Sequence, residues 1–440
     1  MERWEKEREY EYLSKEEKEK LLIERMKSLL RRVYEKVLYY REVMKKEKLD
    51  PEKFSSLSDL KYFPFTTKDT LREHYPFGLF AVPLEEVVEL HASSGTTGKP
   101  TVVGYTREDI EIWKSVMARS VVCAGGSSKD IIHNAYGYGL FTGGLGFHYA
   151  ALALGAGVVP VSSGGTKRQI SLIMDFKPTI LCCTPSYALY LAEVAREEVG
   201  INPAETSLRI GIFGAEPWSE GMRKALEKEW GIIALDVYGL SEIIGPGVAM
   251  ECPGKVGLHV WDDHFYPEVI DPQTGEVLEE GEEGELVFTT LTKEALPLIR
   301  YRTRDIVSIS WEPCPYCGRK TPRISRIKGR TDDMLIIRGI NVFPSQIESV
   351  ITEIPGVAPH YQLVVTREKH LDKLEIQIEM TEEFPFDEVR KVEELERKVK
   401  DEIESVLGLK VEVKLLEPKS IQRSMGKAKR VIDKRKEGVE

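Results

Sequence analysis

The sequence predicts an α/β fold: a large N-terminal domain with mainly parallel sheets and a β-rich subdomain, then a small α+β C-terminal domain. Three observations predict it. The chain has 440 residues, more than a single hydrophobic core usually supports. Between about residues 87 and 240, short β-rich runs alternate with helical patterns, which is the signature of βαβ units. After "RIKGRTDD" the pattern restarts as a separate unit of roughly a hundred residues.

Residues 1 to 60 read as charged amphipathic helices that pack on the main body, because "LLIERMKSLLRRVYEKVLYYREVM" has apolar positions at three- and four-residue spacing. The strands of the alternating region are "VVELHA", "DIIHNA", "GVVPVS", "TILCCT", "LRIGIFG" and "IIALDVYG", with "LIMDF" and "SYALYLAEVAREEV" helical. From about 255 to 330 helical periodicity disappears, and "FYPEVIDPQTGEVLEEGEEGELVFTTL" reads as hairpins with Pro-, Gly- and Asp-rich turns. This places a β-rich subdomain at about 250–330 within an N-terminal domain of residues 1–331. The C-terminal domain, 332–440, holds "MLIIRG", "QLVVTRE", "KLEIQIEM", a long helix at 387 to 407, and "KVEVKLLE".

Composition narrows the function. Apolar residues make up 42% and aromatics 9%, ordinary for a globular protein. A net charge of −10 argues against a nucleic-acid partner. Charged residues reach 30%, led by Lys and Glu, a balance that leans toward a heat-adapted source. The N-terminus "MERWEKEREYEYLSKEEKEK" is too charged for a signal peptide or presequence, and no run approaches the ~20 apolar residues that cross a bilayer. Six cysteines in a chain this long fit reduced thiols. A cytoplasmic protein without membrane contact is expected.

"SSGTTGKP" at 93–100 has the residues of a phosphate-holding loop. It lies between two strands, whereas a Walker-type loop feeds a helix, and Pro100 directly after Lys99 disfavours helix continuation. Gly95 and Gly98 permit tight backbone conformations, while Ser93, Ser94, Thr96, Thr97 and Lys99 present donors to anionic oxygens. A turn-rich surface hairpin is the competing reading of this stretch alone.

Together with "YGLSE" at 238–242, "YRTRD" at 301–305 and "GRTDDMLIIRGINVFPSQIE" at 329–348, this loop resembles the AMP-forming acyl-CoA synthetases. Within that adenylate-forming superfamily, "WDDHFYPEVID", "RGINVFPSQIE" and the ending "SMGKAKRVIDKR" look most like the phenylacetate-CoA ligases. The resemblance runs from about residue 10 to the C-terminus. It implies two steps: a carboxylate attacks the α-phosphate of ATP to give acyl-AMP and pyrophosphate, and the coenzyme A thiol then displaces AMP.

The resemblance assigns roles residue by residue. The loop at 93–99 would cradle the β- and γ-phosphates, Glu242 would help hold Mg²⁺, and Asp305 would accept hydrogen bonds from the ribose, with Arg330 nearby. Gly214, Ala215 and Glu216 in "FGAEPW", with Asp236, Tyr238, Gly239 and Ser241, would line the nucleotide at the strand ends. Lys427, rather than Lys429, would point at the reacting carboxylate and α-phosphate. Asp332 corresponds to the hinge about which the small domain moves. An interdomain salt bridge is the competing reading for Arg330, and a simple turn aspartate for Asp332.

"NAYGYGLFTGGLGFH" contains Gly137, Gly139, Gly143 and Gly144, but their spacing does not make a dinucleotide fingerprint. Close backbone approach to a flat ring explains them better. The resemblance places Tyr136 and Phe141 on one wall of the acid pocket, opposite Ala215, Ile244 and Pro246. Such walls suit a phenyl ring, although any of these residues could be core.

"EPCPYCGRK" brings Cys314 and Cys317 onto one turn, and "MECPGKVGLH" supplies Cys252 and His259. A closed structural zinc site of three cysteines and one histidine follows. In the resembled family the "DHFYPE" stretch is kept in many members without these cysteines, making His264 the weaker fourth ligand. A redox CxxC is the rival reading, without its usual βα context. Cys182 and Cys183, inside "TILCCT", are expected in the core.

The leading expectation is an ATP-dependent aryl-acid:CoA ligase acting on phenylacetate. The alternatives are ligation of indoleacetate or a benzoate, adenylylation of the deazaflavin F420 without CoA, and a non-catalytic nucleotide sensor. Intact Glu242, Asp305 and Lys427 speak against the sensor. A homodimer is what the resemblance implies for quaternary structure.

Overall fold

Runs with little polar alternation, such as Ile180–Cys183 and Ile210–Gly214, are buried along their full length, as strands covered on both faces must be. In this computed structural model, which describes residues 2–92, 100–338, 340–368, 371–385 and 387–435, they form the middle of a nine-stranded sheet. Gly157–Val159, Ile131–Asn134, Ile180–Cys183, Ile210–Gly214 and Ile233–Leu240 run parallel in that order. Helices such as Arg107–Cys123, Pro185–Val194 and Glu220–Trp230 cover the faces. Cys182 and Cys183 are fully buried, as expected.

The β-rich stretch is arranged differently from the expected subdomain. Gly245–Glu251, Leu258–Val260, Arg323–Ile324 and Ile309–Ser310 continue the large sheet in antiparallel fashion. Only Phe265–Ile270, Gly284–Thr290, Tyr301–Val307 and Gly329–Arg330 form a sheet of their own. The cause is the exposed hydrogen-bonding edge of Ile233–Leu240: the next strand in sequence folds back onto it, and its neighbours follow.

The N-terminal arm packs on this body. Helix Lys15–Lys36 begins at a capping box in which Ser14 and Glu17 satisfy each other's backbone donors. It buries Leu22, Met26, Leu29, Leu30 and Val33 along one face. Ahead of it, Glu11 is wholly buried between two guanidiniums, accepting from Arg119 Nε at 2.9 Å and Arg319 Nε at 2.5 Å. Arg119 also donates to Asp263 at 2.9 Å.

A second, separate core joins Leu335, Ile347, Leu363, Ile376, Val399 and Ile403 with their neighbours. Helix Val389–Leu407 places Leu395, Val399, Ile403 and Leu407 on one stripe. It covers a four-stranded sheet that includes Val357–Glu368 and Leu371–Met380. The chain enters this lobe through Gly329–Arg330 and the turn that follows. Among the described residues, no helix is long and apolar enough to cross a membrane.

The arm's ion network sets a stability prediction. Removing one member of a buried, hydrogen-bonded network leaves the others charged and unpaired, at a cost of about 3–5 kcal/mol. Arg119→Ala should lower unfolding stability by that order in chemical denaturation. Arg31→Ala, which breaks only the exposed pair with Glu52, should leave the midpoint nearly unmoved.

Candidate active site

The strand Tyr301–Val307 alternates buried and half-buried residues, so Tyr301, Thr303 and Asp305 point to one side. That buried face collects much of the predicted site. Asp305 accepts a hydrogen bond from the Tyr238 hydroxyl at 2.5 Å and from Arg330 at 2.9 Å. Burial pushes the Asp305 carboxyl above its usual range while the Arg330 guanidinium opposes that shift. Two strand pairings fix the geometry: Asp305 stands opposite Arg330 in one ladder, and Tyr238 comes from the last parallel strand.

At the other end of the same face, the Tyr301 hydroxyl reaches Glu242. Glu242 is 8% exposed, and its Oε1 also accepts from Thr101 Oγ1 at 3.4 Å. Thr101 directly follows Pro100 at the close of the Gly/Ser/Thr loop. Ser93, Ser94, Gly95, Thr96, Thr97, Gly98 and Lys99 lie outside the described residues. The strands that bracket them, Glu89–Ala92 and Val102–Tyr105, pair antiparallel, so the β-loop-β frame is present.

Sequence reasoning missed Lys293. Its side chain is 2% exposed and its Nζ lies 4.2 Å from the centre of the Tyr105 ring. Burial pushes its ammonium down to about 8, against the attraction of Asp109 and Glu242. Its Nζ has no hydrogen-bond partner among the described residues. The stretch "FTTLTKEALP" mixes polar and apolar residues and gives no local signal that this lysine is buried.

The Gly214–Glu216 turn caps its strand tightly. A side chain on Gly214 would come within 2.2 Å of the Val237 carbonyl oxygen, and Ala215 holds φ at 68°, a left-handed conformation that non-glycine residues adopt at a cost. Glu216 Oε1 accepts the Ser186 backbone N–H at 2.8 Å, and Oε2 accepts that of Ala428 at 2.8 Å. Asp236, 3.6 Å from Arg326, is pushed up to about 6 by burial. Ser241 Oγ meets Thr142 Oγ1 at 3.2 Å, and Gly239 lies between Tyr238 and that contact in the same strand.

Tyr136 is buried and stacks on Phe147 at 5.3 Å, with no partner for its hydroxyl among the described residues. Ile244 is buried, its carbonyl taking the Tyr105 hydroxyl, and the Pro246 carbonyl takes the Trp113 indole N–H. Phe141 is 58% exposed. Gly144 packs against its own chain, with the Gly137 carbonyl oxygen 2.7 Å from where a side chain would start. Chain packing, rather than approach to a ring, accounts for it.

Lys427 is exposed, and its charge acts on Asp333. Asp332 accepts two hydrogen bonds from Arg330, at 2.9 and 3.0 Å. The tail bearing Lys427 lies against the large lobe. Thr184 Oγ1 donates to the Gly426 carbonyl at 3.2 Å, and Arg423 donates to Glu193 at 3.1 Å.

Cys252, His259, Cys314 and Cys317 bring their ligand atoms within 4.8 Å of one another. Cys252 and Cys314 sulfurs are 3.9 Å apart, and Cys317 Sγ is 3.4 Å from His259 Nε2. His259 Nδ1 is engaged by Thr321 at 3.0 Å, which leaves Nε2 facing the cluster. The Cys317 thiol is drawn far below its usual range, first by Cys252 and then by His259 and Arg319. His264 is not in this group: its ring nitrogens meet Thr292 at 2.8 Å and Glu7 at 3.2 Å. The Cys314–Cys317 turn lies between two strands, away from the helix start a redox CxxC uses.

The sequence profile of the AMP-binding enzyme family covers residues 6–291, and that of the AMP-binding enzyme C-terminal domain covers 339–435. A phenylacetate-coenzyme A ligase of Aromatoleum evansii is 52% identical over 97% of this chain and 96% of its own. One from Thermus thermophilus is 52% identical over 97% and 99%. Among solved structures, 2-hydroxyisobutyryl-CoA ligase in its postadenylation state with 2-HIB-AMP superposes with a TM-score of 0.91 at 30% identity, over 97% of this chain and 91% of that one. In the thioesterification state with CoA the TM-score is 0.71 at 31% identity and the same coverage. With the family profile over residues 6–291 and relatives of this similarity over 97% of its length, the chain belongs to the AMP-binding enzyme family, among the phenylacetate-CoA ligases.

Proposed function

We propose that the chain joins phenylacetate to coenzyme A at the expense of ATP, through an acyl-adenylate. The observation that carries this reading is the single buried strand face that gathers Glu242, Tyr301, Asp305, Tyr238 and Arg330. It lies in a chain 52% identical to a phenylacetate-coenzyme A ligase.

In the first step a carboxylate oxygen of the acid attacks the α-phosphorus, and the bond to the pyrophosphate oxygen breaks. In the second, the CoA sulfur attacks the acyl carbon, loses its proton, and the bond to AMP breaks. Residues 93–99 and Lys427 supply donors to the phosphates, and the Asp305 carboxylate receives the ribose hydroxyls. The buried Glu242 carboxylate, with the Thr101 hydroxyl beside it, is a hard oxygen donor set that fits Mg²⁺. A bound divalent cation there supplies charge neutralisation to the triphosphate. The chain divides at about residue 331, with Asp332 as the hinge, so that one small lobe serves both steps in turn. Tyr136, Ala215, Ile244 and Pro246 hold the aryl ring.

The Cys252, His259, Cys314 and Cys317 group holds a structural zinc. Thiolates bound tetrahedrally at about 2.3 Å from zinc stand about 3.8 Å apart, close to the 3.9 Å between Cys252 and Cys314. The site ties the Cys314–Thr321 turn to the edge of the main sheet and, through Arg319, to Glu11. The protein acts on small molecules in the cytoplasm.

Three outcomes test this reading. Incubation with ATP, Mg²⁺ and phenylacetate should release pyrophosphate and give a hydroxylamine-trapped acyl group, with AMP release after CoA is added. Lys427→Ala should slow adenylation by about 100-fold or more, while CoA transfer from supplied phenylacetyl-AMP survives. Equal loss of both half-reactions rejects the lysine's role, and AMP transfer without a CoA requirement favours an adenylyltransferase. Elemental analysis should find one zinc per chain, and Cys314→Ser should lose it with a drop in melting temperature. Zinc-free wild-type protein of unchanged stability contradicts the site.

A further inference from the structure

The Glu216 carboxylate has both oxygens occupied, each by a backbone N–H from a different lobe. Ser186 N–H belongs to the start of helix Pro185–Val194 in the large lobe, and Ala428 N–H belongs to the tail. Ala428 is the residue next to Lys427, and on the other side of the lysine the Gly426 carbonyl is held by Thr184. The peptide carrying Lys427 is therefore pinned on both flanks to the large lobe. We propose that Glu216 is a positioning residue that latches the Lys427 loop onto the large lobe for adenylate formation and must release it before the CoA step. This rests on the two-step reading given above.

Several features give the latch its direction. Glu216 leaves a turn whose preceding residue, Ala215, is in the left-handed region, which fixes where the carboxylate points. With two N–H donors satisfied at 2.8 Å, charge-assisted hydrogen bonds set its orientation. Each oxygen keeps one lone pair beyond the N–H it accepts, so the latch itself takes one acceptor site on each. A second set of contacts backs the same closure: Ser219 N–H donates to Glu348 at 2.7 Å, and Ser219 Oγ lies 3.3 Å from Thr352 Oγ1. The closed arrangement superposes on a postadenylation state at 0.91 and on a thioesterification state at 0.71. The latch described here accordingly belongs to the adenylation arrangement.

The test compares wild type, Glu216→Ala and Glu216→Gln in the full chain. Adenylation is read by pyrophosphate release, the CoA step by thioester formation from supplied phenylacetyl-AMP, and lobe closure by small-angle X-ray scattering of the free protein. Glu216→Ala should lower the adenylation kcat roughly 10- to 100-fold, with ATP KM within about twofold, an undiminished CoA step and a larger radius of gyration. Glu216→Gln keeps one acceptor and should fall between. A rise in ATP KM at unchanged kcat would assign Glu216 to nucleotide contact and overturn the latch. So would equal loss of both half-reactions, or unchanged kinetics and scattering. If the wild type adenylates no acid, the proposed function fails, and scattering alone still decides the latch: expansion on Glu216→Ala supports it and an unchanged radius overturns it.

Discussion

The buried Asp305 carboxylate is the interaction on which the rest of the site depends. It accepts from Tyr238 on the main sheet and from Arg330 at the exit to the small lobe, so one side chain connects three structural units. A carboxylate this deeply buried is stable only with its donors in place. The strand that carries it also sends Tyr301 to Glu242. Position along a single strand therefore sets the separation between Asp305 and Glu242, the carboxylates proposed to serve the ribose and Mg²⁺.

The proposed two-step reaction calls for the small lobe to rotate, and the same economy of contacts suits that. Arg330 engages Asp305 on the large-lobe side and Asp332 on the other, so the ionic link lies next to the turn about which rotation would occur. Farther out, closure depends on a few backbone donors and exposed pairs such as Lys419 with Glu197 and Lys224 with Glu353. Exposed pairs contribute little net stability, which suits an interface that must open. The rigid parts lie elsewhere, in the buried Glu11–Arg119–Asp263 network and the Cys/His cluster that share the Arg319 turn.

Much of this was legible in the sequence because it is carried by local chemistry. Parallel strands announce themselves as uninterrupted apolar runs, while Glu242 in "YGLSE" and Asp305 in "YRTRD" stand out through the resemblance of those motifs to the AMP-forming acyl-CoA synthetases. The four metal-binding candidates were legible from spacing and turn residues, and the structure brings them together. What was not legible depends on partners far away in the chain. No local signal says that Leu258–Val260, Ile309–Ser310 and Arg323–Ile324 would extend the main sheet rather than join a separate subdomain, since strand pairing is settled by which edge is free. His264 resembles a ligand in sequence but is taken up by Glu7. The Glu216 contact is hidden for a simpler reason: its donors are backbone N–H groups of Ser186 and Ala428, and a backbone donor leaves no mark on residue type.

The central claim is that Asp305 organises a nucleotide site between the lobes. Calorimetric titration of ATP into wild type and Asp305→Asn tests it most directly. Asparagine fills nearly the same volume but loses the charge that holds Arg330 and one of the acceptors offered to a ribose. Wild type should bind, and Asp305→Asn should bind at least about tenfold more weakly with its thermal unfolding still cooperative. Equal ATP affinity in the two proteins would contradict the account.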